Sequence, residues 1–510
     1  MKNSLVKSSF GVTIILIGGY FLSFVKEAVV ASYLGVSNIA DAYTIAIQIP
    51  VTLFSFVAVS INSIVIPLYT DKLYKEGNFK ANLFVNNFLN TILILSVLFI
   101  IFGELFSGYI IYLFAPGFSI ETHNLATTLL RITFPTVIFT AVTQLLTAVL
   151  NSNKKFVLPS LSVYLLNIGL IITIVLLYTK IGVKAACLGQ IIGAFFQLSF
   201  ILVIAKKYFK YKFYINLKDK ELIKAAKMSL PVMWSISVAQ INAIVNRIVA
   251  SFFFVGTIAA LSYASKLNTV FSSLFISAIS TIVFPLYAEA TAKNNLKQLN
   301  KLFNFTISTF SLFIIPLILG LIIYKTEIIT IAFARGAFDL KAINTTKELF
   351  LYYTFGLLFM AFRQTVTRVF YSLKDTKTPA KNATLGVIIN IVLNLTLPFI
   401  MGAKGLALSA SISAMIISLR LIYLLKKRYK EIILKNLFIS LKKIILASII
   451  MMLAVLLFKI YVPIENNIIA LISGAFVCIS IYIVTILLFK TKIAFEILNK
   501  LKNDKNCNKR

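Results

Sequence analysis

About fourteen apolar stretches of eighteen or more residues divide this chain, and runs of that length read as membrane-crossing helices. They lie near 9–34, 41–68, 86–113, 125–150, 157–179, 183–205, 229–253, 257–287, 303–324, 349–373, 380–401, 404–425, 437–460 and 466–489. The expected fold is an all-α polytopic membrane protein. Composition agrees, since 59% of the 510 residues are hydrophobic and 13% charged, about half the charge of a soluble domain. With 44 Phe and 22 Tyr, the chain is too aromatic to be a solvated disordered one. No small-residue cleavage site follows the first run, so it is read as an uncleaved span rather than a signal peptide.

Charge sets the orientation. There are 50 Lys+Arg against 17 Asp+Glu, a formal +33. The bases fall between apolar runs rather than in one nucleic-acid-binding patch: Lys72, Lys75 and Lys80; Lys154 and Lys155; the tract from Lys206 to Lys227; Lys293, Lys297 and Lys301; Lys374, Lys377 and Lys381; and Lys426-Lys427-Arg428. The opposite connections 115–124, 254–256 and 462–466 carry no Lys or Arg. The bias places both termini in the cytoplasm. Residues 206–228 mix lysines with Tyr208, Phe209, Tyr211, Phe213 and Tyr214. That pattern suits a basic amphipathic linker lying on anionic phospholipid, and a natural hinge. Cys187, Cys478 and Cys507 have neither metal-like spacing nor a disulfide framework, and His123 stands alone in a polar stretch. Neither a metal nor a cofactor is expected.

The two halves resemble each other. Ile64-Val65-Ile66-Pro67-Leu68-Tyr69 recurs as Ile282-Val283-Phe284-Pro285-Leu286-Tyr287, and Ser152 to Pro159 answers Ser372 to Pro379. Six spans per half, an even number, make the repeats parallel, an arrangement found in transporters with the site between two lobes. The expected organisation is an N-lobe 1–205, the linker 206–228, a C-lobe 229–428, two appended spans 429–489 without a counterpart, and a basic cytoplasmic tail 490–510.

An ionisable residue within a span is a functional candidate. Lys26 and Glu27 lie toward the outer end of the first span; as helix neighbours they are not expected to face each other. Asp41 opens the second span, either as an ordinary cap of its own helix or as a site residue. Arg247 and Lys266 fall in spans seven and eight, near Gln240, Asn242, Asn246 and Asn268, and Arg363 and Arg368 flank Gln364 in span ten. This set is mostly cationic, and unmatched positive charge calls for an anion such as phosphate. Arg131 and Arg368 also lie within snorkelling reach of an interface. Pro50 and Pro135 permit bending. No phosphate-binding glycine loop or catalytic cluster is present, so a transporter rather than an enzyme is expected, and one that does not hydrolyse nucleotide.

The ordered set of motifs resembles the MurJ (MviN) family of the MOP exporter superfamily. It comprises Lys26-Glu27-Ala28-Val29-Val30-Ala31-Ser32-Tyr33-Leu34-Gly35, Ala40-Asp41-Ala42-Tyr43, Ile49-Pro50, Ala115-Pro116-Gly117-Phe118 and Ile132-Thr133-Phe134-Pro135. It continues through Leu150-Asn151-Ser152, Phe156, Pro159 and Leu166-Asn167 to Tyr263-Ala264-Ser265-Lys266-Leu267 and Phe370 to Pro379. The resemblance covers nearly the whole chain. It implies fourteen helices, a V-shaped cavity, a cationic site for the pyrophosphate of lipid II, and a groove from the last two helices for its lipid tail. By position Lys26 and Glu27 match the family's arginine–aspartate pair in helix one, Asp41 its aspartate opening helix two, and Lys266 its arginine in helix eight. The chain departs from the family at Tyr20, and at Val51 to Ser55 after Pro50, where the family carries arginines.

The resulting expectation is a multi-pass flippase of the bacterial cytoplasmic membrane. It would move undecaprenyl-pyrophosphate-linked peptidoglycan precursor outward by alternating access for cell-wall synthesis, as a monomer, with Lys26, Glu27, Asp41, Arg247, Lys266, Arg363 and Arg368 as substrate-binding residues. Membrane potential and a coupling cation both stay open as energy sources. The alternatives are a flippase for another polyprenyl-linked oligosaccharide (an exopolysaccharide or teichoic-type repeat unit), or a cation-coupled small-molecule exporter that depends on Asp41. A membrane glycosyltransferase is disfavoured because its longest outside connection, 325–348, is short.

Overall fold

The computed structural model describes residues 2–433, 435–491 and 493–495. Among these there are eighteen α-helices, one π-helical turn and no strand. The first half runs α1 (Lys2–Leu34), α2 (Asn38–Ser60), the π turn (Ile61–Val65), α3 (Ile66–Leu105), α4 (Ser107–Phe114), α5 (Ile120–Thr133), α6 (Thr136–Ser152), α7 (Val157–Ile181) and α8 (Lys184–Ala205). It is followed by α9 (Lys220–Ser251), α10 (Thr257–Ala292), α11 (Leu296–Ile323), α12 (Lys325–Phe333), α13 (Leu340–Thr354) and α14 (Leu357–Ser372). Then come α15 (Lys377–Met401), α16 (Lys404–Arg428), α17 (Lys435–Tyr461) and α18 (Asn467–Leu488). Nine helical segments among the described residues are long and apolar enough to cross a membrane, α13 and α14 counting as one, or ten when α5 and α6, bent by 41° at Phe134–Pro135, are taken together. The chain is a multi-pass membrane protein. At the other four expected positions stand α1, α2, α9 and α10, which carry most of the polar candidates. Residues 492 and 496–510, most of the expected tail, lie outside the described residues, as does Cys507.

The chain divides into two compact units, Met1–Ser262 with Arg335–Phe338, and Tyr263–Ala334 with Asp339–Arg510. Helix α9, expected to open the second lobe, packs instead on α2, α3 and α4 of the first unit. Helices α17 and α18 pack on α11 and α12 within the second unit.

The repeat is visible in backbone detail. Helix α3 is followed by short α4, then by the broken pair α5–α6 and by α7 and α8; α11 is followed in the same way by α12, α13–α14, α15 and α16. Helices α6 and α14 end in the same Schellman turn. In the first, Lys154 has φ 60° and Lys155 N–H donates to Leu150 O; in the second, Lys374 has φ 60° and Asp375 N–H donates to Phe370 O, both at 2.9 Å. After α7 and α15 the left-handed residues are Gly182 and Gly402. The α7–α8 contact is glycine-lined, because a Cβ on Gly193 would strike the Leu166 carbonyl and one on Gly169 would lie 2.6 Å from the Gly193 Cα. Small residues let membrane helices approach backbone to backbone. In the repeat, Gly189 and Gly193 are answered by Ser409 and Ser413, and the Ser413 hydroxyl donates to Gly386 O at 2.8 Å.

The linker departs from expectation. Residues 209–216 form no regular secondary structure, and Lys220 to Met228 are already the first turns of α9. The segment is fastened to α3, so it does not have the freedom of a hinge.

Replacing Gly193 with Leu is expected to force α7 and α8 apart and destabilise the first unit by about 2 kcal/mol, in the range of core overpacking. Ser413→Gly should cost roughly 1 kcal/mol, the worth of one hydrogen bond. Thermal unfolding of the purified protein in detergent measures both.

Candidate functional site

The first candidates lie on α1. Lys26 Nζ stands 3.0 Å from Glu27 Oε1, with both side chains mostly buried. This corrects the expectation that these neighbours do not pair. Their Cβ atoms diverge around the helix, but a four-carbon lysine stem is long enough to fold back.

Asp41, one turn into α2, does cap a helix, but it is not its own. Its carboxylate is 5% exposed and accepts the backbone N–H groups of Gly256 and Ala259, each at 2.7 Å. Those donors belong to the N-terminus of α10, where the helix dipole favours a negative charge. The N-terminus of α2 is served by Ser37, whose hydroxyl accepts Ala40 N–H at 3.2 Å. Asp41 is therefore committed to α10 rather than grouped with the cations.

Two glycine contacts flank this cap. Gly117 N–H donates to Ser251 Oγ at 3.0 Å, at the end of α9, and a Cβ at 117 would lie 2.6 Å from the Ser251 carbonyl carbon. Ala337 N–H donates to Ser32 O at 2.7 Å, at the end of α1, and Gly336 beside it has φ +58° and packs on the same carbonyl. Ser32 and Ser251, like Gly117 and Gly336, occupy equivalent places in the repeat. The loop at Gly117 thus seats on the end of α9 and the loop at Gly336 on the end of α1, and with Asp41 the two contacts form one latch within the first unit. Of this latch the motif reading singled out the Ala115 to Phe118 loop and Asp41 but not their partners, which are distant in sequence.

The remaining cations are placed as follows. Arg247, on α9, is half-buried and donates from Nη1 to Thr52 Oγ1 at 3.0 Å. Lys26, Glu27, Asp41 and Arg247 belong to the first unit, and Lys266, Arg363 and Arg368 to the second. Lys266 is exposed on α10, whereas Arg363 and Arg368 are half-buried on α14. Arg368 lies over the Phe284 ring, 5.5 Å from its centroid, and its buried Nε has no hydrogen-bond partner. Among the described residues no carboxylate pairs with Arg247, Arg363 or Arg368. The acids that do form buried or half-buried pairs serve elsewhere: Glu348 with Lys325 and Lys404, Glu327 with Lys459, and Asp375 with Arg428. Arg420, which sequence reasoning missed, is held by Asn382 Oδ1 at 2.7 Å. Arg131 sits half-exposed beside Ser107 and Glu104, and His123 bonds Gly108 O through Nε2 at 3.0 Å, a structural contact.

Comparison with known proteins settles the family. The family model described as "Lipid II flippase MurJ" matches residues 30–487. The chain belongs to the MurJ lipid II flippase family. It is 33% identical over 406 residues to the lipid II flippase MurJ of Thermosipho africanus, covering 79% of this chain and 82% of that protein. It is 30% identical over 433 residues to a probable lipid II flippase MurJ of Buchnera aphidicola subsp. Schizaphis graminum, covering 81% and 82%. A solved lipid II flippase MurJ in an inward closed conformation superposes with TM-score 0.81 at 29% identity, covering 96% of this chain and 99% of that one. An inward-facing MATE multidrug transporter of the MOP superfamily shares the fold, with TM-score 0.68 at 14% identity, covering 81% of this chain and 94% of that one. Tyr20, which stands where the family resemblance places an arginine, is 49% exposed on α1.

Asp41→Ala leaves two N–H groups of α10 without their acceptor, a loss of about 1 kcal/mol for a helix cap. Labelling of a cysteine placed at Thr257 by a membrane-impermeant maleimide is expected to rise in that background, and to change little with Asp41→Asn, which keeps an acceptor.

Proposed function

We propose that this chain moves lipid II, the polyprenyl-pyrophosphate-linked peptidoglycan precursor, from the inner to the outer leaflet of the bacterial cytoplasmic membrane by alternating access. The observation that carries this reading, beyond family membership, is that Arg247, Arg363 and Arg368 sit on helices of the bundle without an acid among the described residues. A diphosphate offers the geometry a guanidinium holds best, two parallel N–H···O bonds. In this reading Arg247 of the first unit, and Lys266, Arg363 and Arg368 of the second, each offer positive charge to the pyrophosphate. Lys26 approaches as half of an ion pair, so Glu27 can release it to the phosphate. Asp41 acts through the latch: holding α10 shut at its N-terminus, it sets the cost of opening.

The protein is a transporter, and the membrane potential or a cation gradient is its proposed energy source. One charge crossing 100 mV is worth about 2.3 kcal/mol. The lysine bias supports cytoplasmic termini. The exposed side chains of Tyr211, Phe213 and Leu217, between Lys210, Lys212 and Lys218, support contact with anionic phospholipid at the cytoplasmic face. A monomer suffices for this mechanism.

A second reading rests on Tyr20. An exposed phenol where the family carries arginine suits a differently charged polyprenyl-linked saccharide, such as an exopolysaccharide or teichoic-type repeat unit.

Vesicles holding only this protein and lipid II test the proposal by head-group access in the outer leaflet. The wild type is expected to flip. Arg247→Gln and Arg363→Gln should each lower the rate about tenfold, equivalent to about 1.4 kcal/mol, with the lysine variants in between. A protein inert toward lipid II but active on another polyprenyl-linked repeat unit supports the second reading instead.

A further inference from the structure

The segment leaving α8 is fastened along its length. Asn86, Asn87 and Asn90 on α3 are 2%, 1% and 3% exposed. Asn86 Nδ2 donates to Lys210 O at 3.0 Å, and its Oδ1 accepts Lys212 N–H at 2.8 Å. Asn87 takes both groups of one residue, donating to Asn216 O at 2.9 Å and accepting Asn216 N–H at 2.7 Å. Asn90 donates to Tyr214 O at 3.1 Å and accepts the Tyr211 hydroxyl at 3.0 Å. An extended segment has no hydrogen bonds of its own, and an asparagine amide answers a peptide group donor for acceptor. Three residues beyond Asn216, Asp219 caps α9 by accepting Glu221 and Leu222 N–H at 2.8 and 3.0 Å. Phe209, Leu222 and Ala225 are buried in the same core as Phe84, Phe88 and Leu145. The inner end of α9 is therefore tied to α3, and its outer end is seated on the Gly117 loop.

The second half repeats the device. Asn304 on α11 donates to Ile433 O at 3.0 Å and to Asn300 Oδ1 at 2.7 Å, and Asn300 Oδ1 accepts Ile433 N–H at 3.2 Å. Ile432 and Leu437 are buried with Phe303, Phe370 and Leu425. Helix α11 is the counterpart of α3, and α17 packs along it. The outer end of α17 is held as well, where Lys459 Nζ lies 2.6 Å from Glu327 Oε1 and donates to Ile323 O at 3.0 Å. So α17, expected to have no counterpart, stands to the second half as α9 stands to the first.

We propose that Asn86, Asn87, Asn90, Asn300 and Asn304 are positioning residues for flipping. Each set fixes the helix that follows its half, so that α9 travels with the first unit, α17 travels with the second, and neither linker is a hinge. The role in flipping rests on the function proposed above, whereas the clamp itself is read independently of it.

Hydrogen exchange of the full-length protein in vesicles, followed in peptides covering residues 207–219, tests this. Slow exchange at Lys212 and Asn216 is expected, at the same rate at rest and during lipid II turnover under a membrane potential. Asn87→Ala with Asn90→Ala should speed that exchange about tenfold, the worth of about one buried hydrogen bond. The same variant should lower the flipping rate while leaving lipid II affinity unchanged, because none of the clamp's hydrogen bonds uses Arg247, Lys266, Arg363 or Arg368. Should the double variant not be recovered, Asn87→Ala alone gives the same readout. Exchange that accelerates during turnover, or a variant with fast exchange that flips at the wild-type rate, overturns the proposal. If the wild type flips no lipid II, the function fails while exchange at rest still reports the clamp.

Discussion

A guanidinium on a membrane-embedded helix, with no carboxylate among the described residues to answer it, sets the terms for the rest of this molecule. Arginine cannot shed its proton to escape burial, and a charge at the centre of a span costs a few kcal/mol on insertion scales. Arg247 leans on the Thr52 hydroxyl and Arg368 on the Phe284 ring. Both partners orient the group without neutralising it. The pairing acids sit where lysines and arginines anchor loops and helix ends, at Glu327, Glu348 and Asp375. What remains is positive charge that, in the proposed function, serves an anion from outside the chain. Lys26 is a different case, because Glu27 already balances it; the excess rests on the arginines.

Such groups are useful only in a scaffold that holds its geometry while it moves, and the repeat supplies one. Its helices meet through glycine and serine at backbone distance, at Gly169 and Gly193 in the first half and at Gly386 and Ser413 in the second. Its polar contacts are concentrated at two levels: the latch of Asp41, Gly117 and Gly336, and the asparagine clamps on α3 and α11. Each joins groups far apart in sequence, most of them side chain to backbone, with the Ala337–Ser32 contact backbone to backbone. The latch contacts are of the kind that is either made or broken, whereas the clamps are proposed to hold throughout.

Much of the fold was legible in the sequence because its signals are local. Apolar runs mark helices by length, and the repeated Schellman turns follow from matching segments around Lys154 and Lys374. The misreadings came from geometry that local rules do not carry. The angular separation of Lys26 and Glu27 describes their Cβ atoms, not the tip of a flexible stem. Asp41 was recognised as a helix-terminal acid, but the helix it caps lies more than 200 residues away. The tract 206–228 was expected to be a hinge lying on the membrane surface, and its exposed side chains fit the composition of a surface segment. Its backbone conformation is decided by three asparagines hidden inside an apolar run of α3, whose partners lie over a hundred residues further on. The equivalence of α17 with α9 is invisible for the same reason, since it resides in packing and not in shared motifs.

The central claim is that uncompensated arginine charge is kept for a diphosphate. Affinity of the purified full-length protein for undecaprenyl pyrophosphate and for undecaprenol, measured side by side, tests it most directly because the two ligands differ only in that group. The account predicts binding of the pyrophosphate about a hundredfold tighter, equivalent to about 2.7 kcal/mol, with the difference collapsing when Arg247 and Arg363 are both replaced by glutamine. Equal affinity for the two lipids, or a preference that survives the double replacement, would contradict it.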